Sequence, residues 1–83
     1  MMKTAVITGA NRGIGLALTQ NYLAQGWQVI GICRTTSPEL DASGAQVISG
    51  VDVTDGNAVA ALAQQLKGKQ IDLLINNAGI FQH

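Results

Sequence analysis

The chain has 83 residues, with five basic and five acidic side chains, 47% apolar residues and only 12% charged ones. This composition excludes a disordered chain, and zero formal net charge excludes a charge-driven surface for nucleic acid or an anionic membrane. The length admits one domain burying about 60–65% of its unfolded surface. With Tyr22, Trp27 and Phe81 as its aromatics, the core must come from Val, Ile, Leu and Ala.

Thr4–Thr8 is a β-branched, apolar run that stops at Gly9. It predicts a strand buried on both faces, as in a parallel sheet. Gly9-Ala10-Asn11-Arg12-Gly13-Ile14-Gly15 is a glycine-rich turn. From Ile14 to Gln25 the pattern predicts a helix, with Ile14, Leu18 and Tyr22 on one face and Leu16 and Ala17 beside them. Gly26 is placed to stop it. Gln28–Cys33 is the second predicted strand. Ser37-Pro38-Glu39 suits a single helical turn, with Ser37 as cap and Pro38 first. Gln46–Val51 is the third predicted strand, and Asp52–Gly56 a turn. Asn57–Lys67 carries Val59, Leu62, Ala63 and Leu66 at helical spacing, and Gly68 ends it. Ile71–Ile75 is the fourth predicted strand and runs into Asn76-Asn77-Ala78-Gly79.

The alternation predicts an α/β fold. It would be the first half of a Rossmann-like doubly wound parallel sheet over residues 1–83, with right-handed crossovers and strand order 3-2-1-4. A strand, a glycine turn and a helix in direct succession make a phosphate site, because the helix start offers unpaired N–H groups and a partial positive charge. The spacing is Gly-x-x-x-Gly-x-Gly; the bland alternative is a tight strand-to-helix turn with no ligand.

Three segments together resemble the short-chain dehydrogenase/reductase family. They are Thr8-Gly9-Ala10-Asn11-Arg12-Gly13-Ile14-Gly15, Asp52-Val53-Thr54-Asp55 and Asn76-Asn77-Ala78-Gly79-Ile80. Within the family the chain looks most like the small reductases related to the bacterial C-factor cell-signalling protein. The resemblance implies that Gly9, Gly13 and Gly15 form the turn under a cofactor pyrophosphate, lined by Asn11, Arg12 and Ile14. It implies that Asp52 and Val53 meet the adenine. Asn77, Ala78 and Gly79 would pass along the ribose nearest the nicotinamide, while Asn76 would tie neighbouring strands together. Asp52 as a simple turn cap, and Asn76 and Asn77 as turn residues, stay open as alternatives.

Cofactor choice has a physical argument. NAD recognition needs an acid near the end of the second strand, to accept from the ribose 2′-hydroxyl. Here that strand ends Ile32-Cys33-Arg34-Thr35, with no acid until Glu39. A guanidinium binds a 2′-phosphate that a carboxylate would repel. Arg34, with Arg12 closing from the glycine turn, therefore predicts NADP(H) over NAD(H). Arg34 as a solvated loop residue is the alternative.

Cys33 is the single cysteine and His83 the single histidine, so neither an internal disulfide nor a metal cluster is expected. Cys33 reads as a buried strand-end residue. The N-terminal apolar run is too short for a signal-peptide core, and no run reaches the ~20 apolar residues of a membrane span. A cytoplasmic protein is expected.

The family's Tyr-x-x-x-Lys pair and Ser are not found. The one tyrosine, Tyr22, is followed four residues later by Gly26. No catalytic residue is therefore assigned. The chain is expected to be the cofactor-binding half of an NADP(H)-dependent oxidoreductase, a fragment or frameshifted product whose substrate, a small carbonyl or alcohol, needs the other half. A non-catalytic NADP(H)-binding or signalling module, or a remnant without function, are the competing readings. The fourth strand would be an exposed apolar edge through which the chain self-associates.

Overall fold

The computed structural model describes residues 2–77. They form β1 (Thr4–Thr8), α1 (Gly13–Ala24), β2 (Gln28–Ile32), α2 (Pro38–Asp41), β3 (Gln46–Ile48), α3 (Gly56–Leu66) and β4 (Leu73–Asn76). Every strand pairing is parallel, and the sheet order is β3-β2-β1-β4, the order expected from the alternation. In the register, Val6 lies between Ile30 and Leu74, and Ile7 between Gly31 and Ile75.

β1 is the central strand, and its Ala5, Val6 and Ile7 are fully buried. Successive side chains point to opposite faces, so an apolar run fills two cores. On one face Ile7 and Val29 join Ala10, Cys33 and Leu40, with Leu16, Leu18, Tyr22 and Leu23 of α1 packed against them. On the other, Val6, Ile30, Ile32 and Val51 pack under Ala58, Leu62 and Leu66 of α3. Gly31 interrupts β2 for a steric reason. A Cβ there would stand 3.1 Å from Ala10 Cβ and 3.2 Å from Leu40 Cδ1, so its absence admits both side chains.

α2 is the single turn expected, with Ser37 Oγ accepting from the Leu40 N–H at 3.1 Å. The expected faces of the two longer helices hold at Leu16, Leu18 and Tyr22 of α1 and at Leu62 and Leu66 of α3, and need correction elsewhere. Ile14 does not face the core and is 57% exposed. Gly15 and Thr19 are buried instead, because small residues let the helix start lie close to the sheet. The Thr19 hydroxyl is satisfied within the helix, donating to the Gly15 carbonyl at 2.8 Å. On α3 the predicted Leu62 and Leu66 pack on the sheet, joined by Ala58. Val59 and Ala63 are exposed on their flank.

Strand ends differ as well. β2 stops at Ile32, one residue before the predicted end, although the Cys33 N–H still donates to the Ile48 carbonyl at 3.1 Å. β3 stops at Ile48 because Gly50 N–H turns away to the Arg34 carbonyl, at 2.9 Å. β4 starts at Leu73 instead of Ile71. Asp72 precedes it as a hook: its Oδ2 accepts from the Thr4 N–H at 2.8 Å and its own N–H donates to the Thr4 carbonyl at 2.9 Å. No helix among the described residues is long and apolar enough to cross a membrane.

Candidate functional site

β1 has β2 on one side and β4 on the other, so the connections leaving its carboxyl end diverge and open a crevice. A cavity of about 840 Å³ lies there, and Gly9, Asn11, Arg12, Gly13, Ile14, Arg34, Asp52, Val53 and Asn77 all line it. Four stretches distant in sequence are thus gathered by the sheet. Gly15 lies buried at the start of α1. Ala78 and Gly79 lie outside the described residues. Cys33 lines the cavity too, and so do Ile32, Thr35, Val51 and Thr54, which were not predicted for it. The Thr35 main-chain carbonyl accepts from Asn11 Nδ2 at 2.9 Å, a role with no residue-type signal in a sequence.

The glycine turn works by two different steric requirements. Gly13 has φ +57° and nothing within 4 Å of where a Cβ would stand, so the space at the helix mouth is open. At Gly15 a Cβ would lie 2.0 Å from the Gly9 carbonyl oxygen and 2.8 Å from Asn77 Nδ2. Only hydrogen fits between the turn, the helix and the chain after β4. The Asn77 amide closes this junction by donating from Nδ2 to the Gly9 carbonyl at 3.3 Å, which fixes the amide's orientation. Its Oδ1 is buried and has no partner among the described residues. Asn76 Oδ1 accepts from the Thr8 hydroxyl at 2.9 Å, tying β4 to β1.

α1 differs from its neighbours at its start. Ser37 and Asp55 cap α2 and α3 with side-chain oxygens, whereas Arg12 supplies no side-chain cap to α1. The first-turn N–H groups of α1 therefore keep their capacity for an anion at the cavity. Glycine cradle, uncapped helix start and buried Asn77 acceptor together fit a dinucleotide.

Asp52 Oδ1 accepts from both the Thr54 hydroxyl at 2.6 Å and the Thr54 N–H at 2.9 Å. The turn-capping reading is realised in this geometry. These two hydrogen bonds, the hydroxyl first, hold the Asp52 carboxyl below the usual range; desolvation opposes them, and the Arg34 charge adds the smallest lowering contribution. Asp52 thus stays ionised under mildly acidic conditions and keeps its other oxygen for a donor. Burial pushes the Cys33 thiol up, and the Asp41 charge does so further, against a hydrogen bond with Thr36. Cys33 is 4% exposed, so it is a protonated wall of the cavity and a poor nucleophile.

A second concavity of about 820 Å³ opens at the amino ends of the strands. Size does not separate the two; chemistry does. The second is rimmed by Lys3, Trp27, Lys69 and Asp72, and its groups already engage one another. Trp27 packs edge-on to Tyr22 at 5.0 Å and beneath Lys3 Nζ at 5.4 Å, a packing role at the helix-to-strand bend. Among the described residues no three His, Cys, Asp or Glu side chains gather as a metal site would require.

A family model described as short chain dehydrogenase matches residues 3–83. The chain is 41% identical over 86 residues to a fatty acyl-CoA reductase of Acinetobacter baylyi, covering 93% of this chain and 29% of that protein. A short-chain dehydrogenase/reductase from Burkholderia multivorans with bound NADP superposes with TM-score 0.78 at 29% identity, over 89% of this chain and 35% of that one. A 4-hydroxyisoleucine dehydrogenase complexed with NADH superposes with TM-score 0.79 at 31% identity, over 94% of this chain and 34% of that one. The chain spans about a third of the length of the curated relatives it matches. Matched from its first strand onward, and folded with the crevice and glycine turn that the three motifs imply, the chain belongs to the short-chain dehydrogenase/reductase family.

Proposed function

We propose that this chain is the NADP(H)-binding part of a short-chain oxidoreductase, and that the cofactor lies in the cavity at the carboxyl end of β1. When bound, the nicotinamide supplies hydride exchange with a carbonyl or alcohol carbon. The chain's own residues bind and orient. The first turn of α1 takes the pyrophosphate over Gly9 and Gly13, and the second oxygen of Asp52 accepts from the adenine amino group. Asn77, with Ala78 and Gly79, follows the ribose on the nicotinamide side.

The observation that carries the 2′-phosphate reading is that Arg34 and Arg12, from separate elements, line the same cavity. Asp52 is the one acid among that lining, and its carboxylate is turned to Thr54. The test is to titrate the chain with NADP⁺ and NAD⁺. NADP⁺ should bind more tightly, and Arg34→Ala should shrink that preference by about tenfold or more, the effect of losing a charge-assisted hydrogen bond. Equal affinity of the parent chain for both would sink the proposal.

The 83 residues contain no Tyr-x-x-x-Lys, which favours a second reading for the chain taken alone: cofactor binding without turnover. Carbonyl-reduction assays separate the two, and turnover by this chain would overturn the second. A buried single cysteine accords with a reducing, cytoplasmic location.

We also infer self-association along β4. It pairs with β1 alone among the described strands, and Leu74 on it is 65% exposed. An unpaired parallel edge with an apolar face invites a second chain. Sedimentation velocity should find concentration-dependent oligomers that Leu74→Lys shifts to monomer; a monomer at all concentrations would refute it.

A further inference from the structure

Arg34 is exposed and long, so its usefulness to an anion depends on how firmly its backbone is held. Two bonds hold it. The Arg34 carbonyl accepts from the Gly50 N–H at 2.9 Å. The next carbonyl, that of Thr35, accepts from Asn11 Nδ2 at 2.9 Å, across 24 residues of sequence. Asn11 stands on the glycine turn beside Arg12. Its side chain is thus a strut between the turn under the pyrophosphate and the loop that carries Arg34. The neighbouring tie, Ala10 N–H to the Ile32 carbonyl at 3.2 Å, runs backbone to backbone and joins the turn only to the end of β2. Beyond it the loop is tied to the chain after β3 through Cys33 and Arg34 and to α2 through the Thr36 hydroxyl, which donates to Asp41 Oδ1 at 2.7 Å; Asn11 supplies its side-chain tie to the glycine turn.

We propose that Asn11 is a positioning residue for 2′-phosphate recognition: by holding the Thr35 carbonyl, it sets Arg34 and Arg12 at a fixed separation around one anion. This rests on the NADP(H) reading above and goes beyond it, because Asn11 would govern selectivity without being the group that meets the 2′-phosphate. The chemistry suits an amide. Its N–H donates to a carbonyl and it brings no negative charge beside a phosphate, whereas a carboxylate would repel both. An alanine leaves the Thr35 carbonyl to water and frees the loop.

The experiment is calorimetric titration of the chain with 2′,5′-ADP and 5′-ADP, for the parent, Asn11→Ala, Arg34→Ala and the double variant. The parent should prefer 2′,5′-ADP. Asn11→Ala should lower that preference about fivefold, the usual scale of one hydrogen bond. In the Arg34→Ala background the same substitution should change it less than about twofold, because the loop that Asn11 holds then carries no guanidinium to set against Arg12. A preference in Asn11→Ala equal to the parent's, or an equal drop with and without Arg34, overturns the proposal while leaving the NADP(H) reading standing. A parent that binds both ligands equally, or neither, overturns that reading and this proposal with it.

Limited trypsin digestion guards against a merely unstable variant. Cleavage after Arg34 should quicken about fivefold in Asn11→Ala, with cleavage after Lys67 and Lys69 unchanged. A uniform increase at all three overturns the positioning role.

Discussion

Gly15→Ala is expected to remove the cooperative fold of this chain. The added Cβ would stand 2.0 Å from the Gly9 carbonyl oxygen, 2.7 Å from its carbon and 2.8 Å from Asn77 Nδ2. Two of these atoms are backbone, so rotating a flexible side chain cannot relieve the clash. Either the start of α1 lifts from the sheet or the Asn77 bond to Gly9 breaks. Inserting a methyl group into a packed site destabilises by about 1–3 kcal/mol, and a clash against backbone belongs at or above the upper end. A small domain has only about 5 kcal/mol of stability to lose. Urea denaturation followed by circular dichroism should show the midpoint collapse. Gly13→Ala is the control. Its Cβ meets nothing within 4 Å, and only the left-handed backbone, at φ +57°, costs about 1–2 kcal/mol. That variant should stay folded. A Gly15→Ala midpoint equal to the parent's would show that the junction is not close-packed.

Leu40→Ala should be nearly as damaging, at about 2–5 kcal/mol. Leu40 is fully buried, although it sits on a helix of only four residues. Its side chain occupies the space left by Gly31 and packs in one cluster with Ile7, Ala10, Val29 and Cys33. The cavity left by alanine cannot close easily, because β1 and β2 beneath it are held in register. The effect should reach the cleft. α2 follows the loop of Arg34 and Thr35, and without its anchor that loop loses one end. Hydrogen exchange should accelerate over residues 33–43 in Leu40→Ala, and the denaturation midpoint should fall. A loss under about 1 kcal/mol would mean that α2 is not docked as described.

These two positions mark where the sequence was legible and where it was not. Gly15 was visible from its place in a strand–turn–helix succession, because the turn demands glycine for local reasons. Its contact with Asn77 was not, since the two are joined only through the pairing of β4 with β1. Leu40 gave no signal. Four residues are too few to show a periodicity, and the gap it fills is made by a glycine on another strand. Ser37 as a cap was readable because the bond it makes is to Leu40, three residues on.

The faces of α1 and α3 were legible in part: Leu16, Leu18, Tyr22, Leu62 and Leu66 pack as predicted, whereas Ile14, Val59 and Ala63 are exposed. A hydrophobic stripe gives a helix's apolar side to within a residue or so, but the sheet chooses the row. At α1 it chose Gly15 and Thr19, because close approach at the turn needed small side chains. That left Ile14 at the mouth of the cavity.

The sequence by itself determined the parallel α/β order, the glycine turn and the family to which they belong. Each depends on residues adjacent in the chain, where apolar runs, turn residues and spacing act locally. Only the tertiary structure decided that Arg12 and Arg34 line one cavity and that Asp52 Oδ1 is committed to Thr54. It also showed that Asn11 spans to the Thr35 carbonyl and that Asn77 locks onto Gly9. Apart from the local Asp52 turn, those relations join segments distant in sequence through β1 and its two neighbours. The Asn11 and Asn77 bonds end on main-chain carbonyls, which every residue carries and no sequence pattern distinguishes.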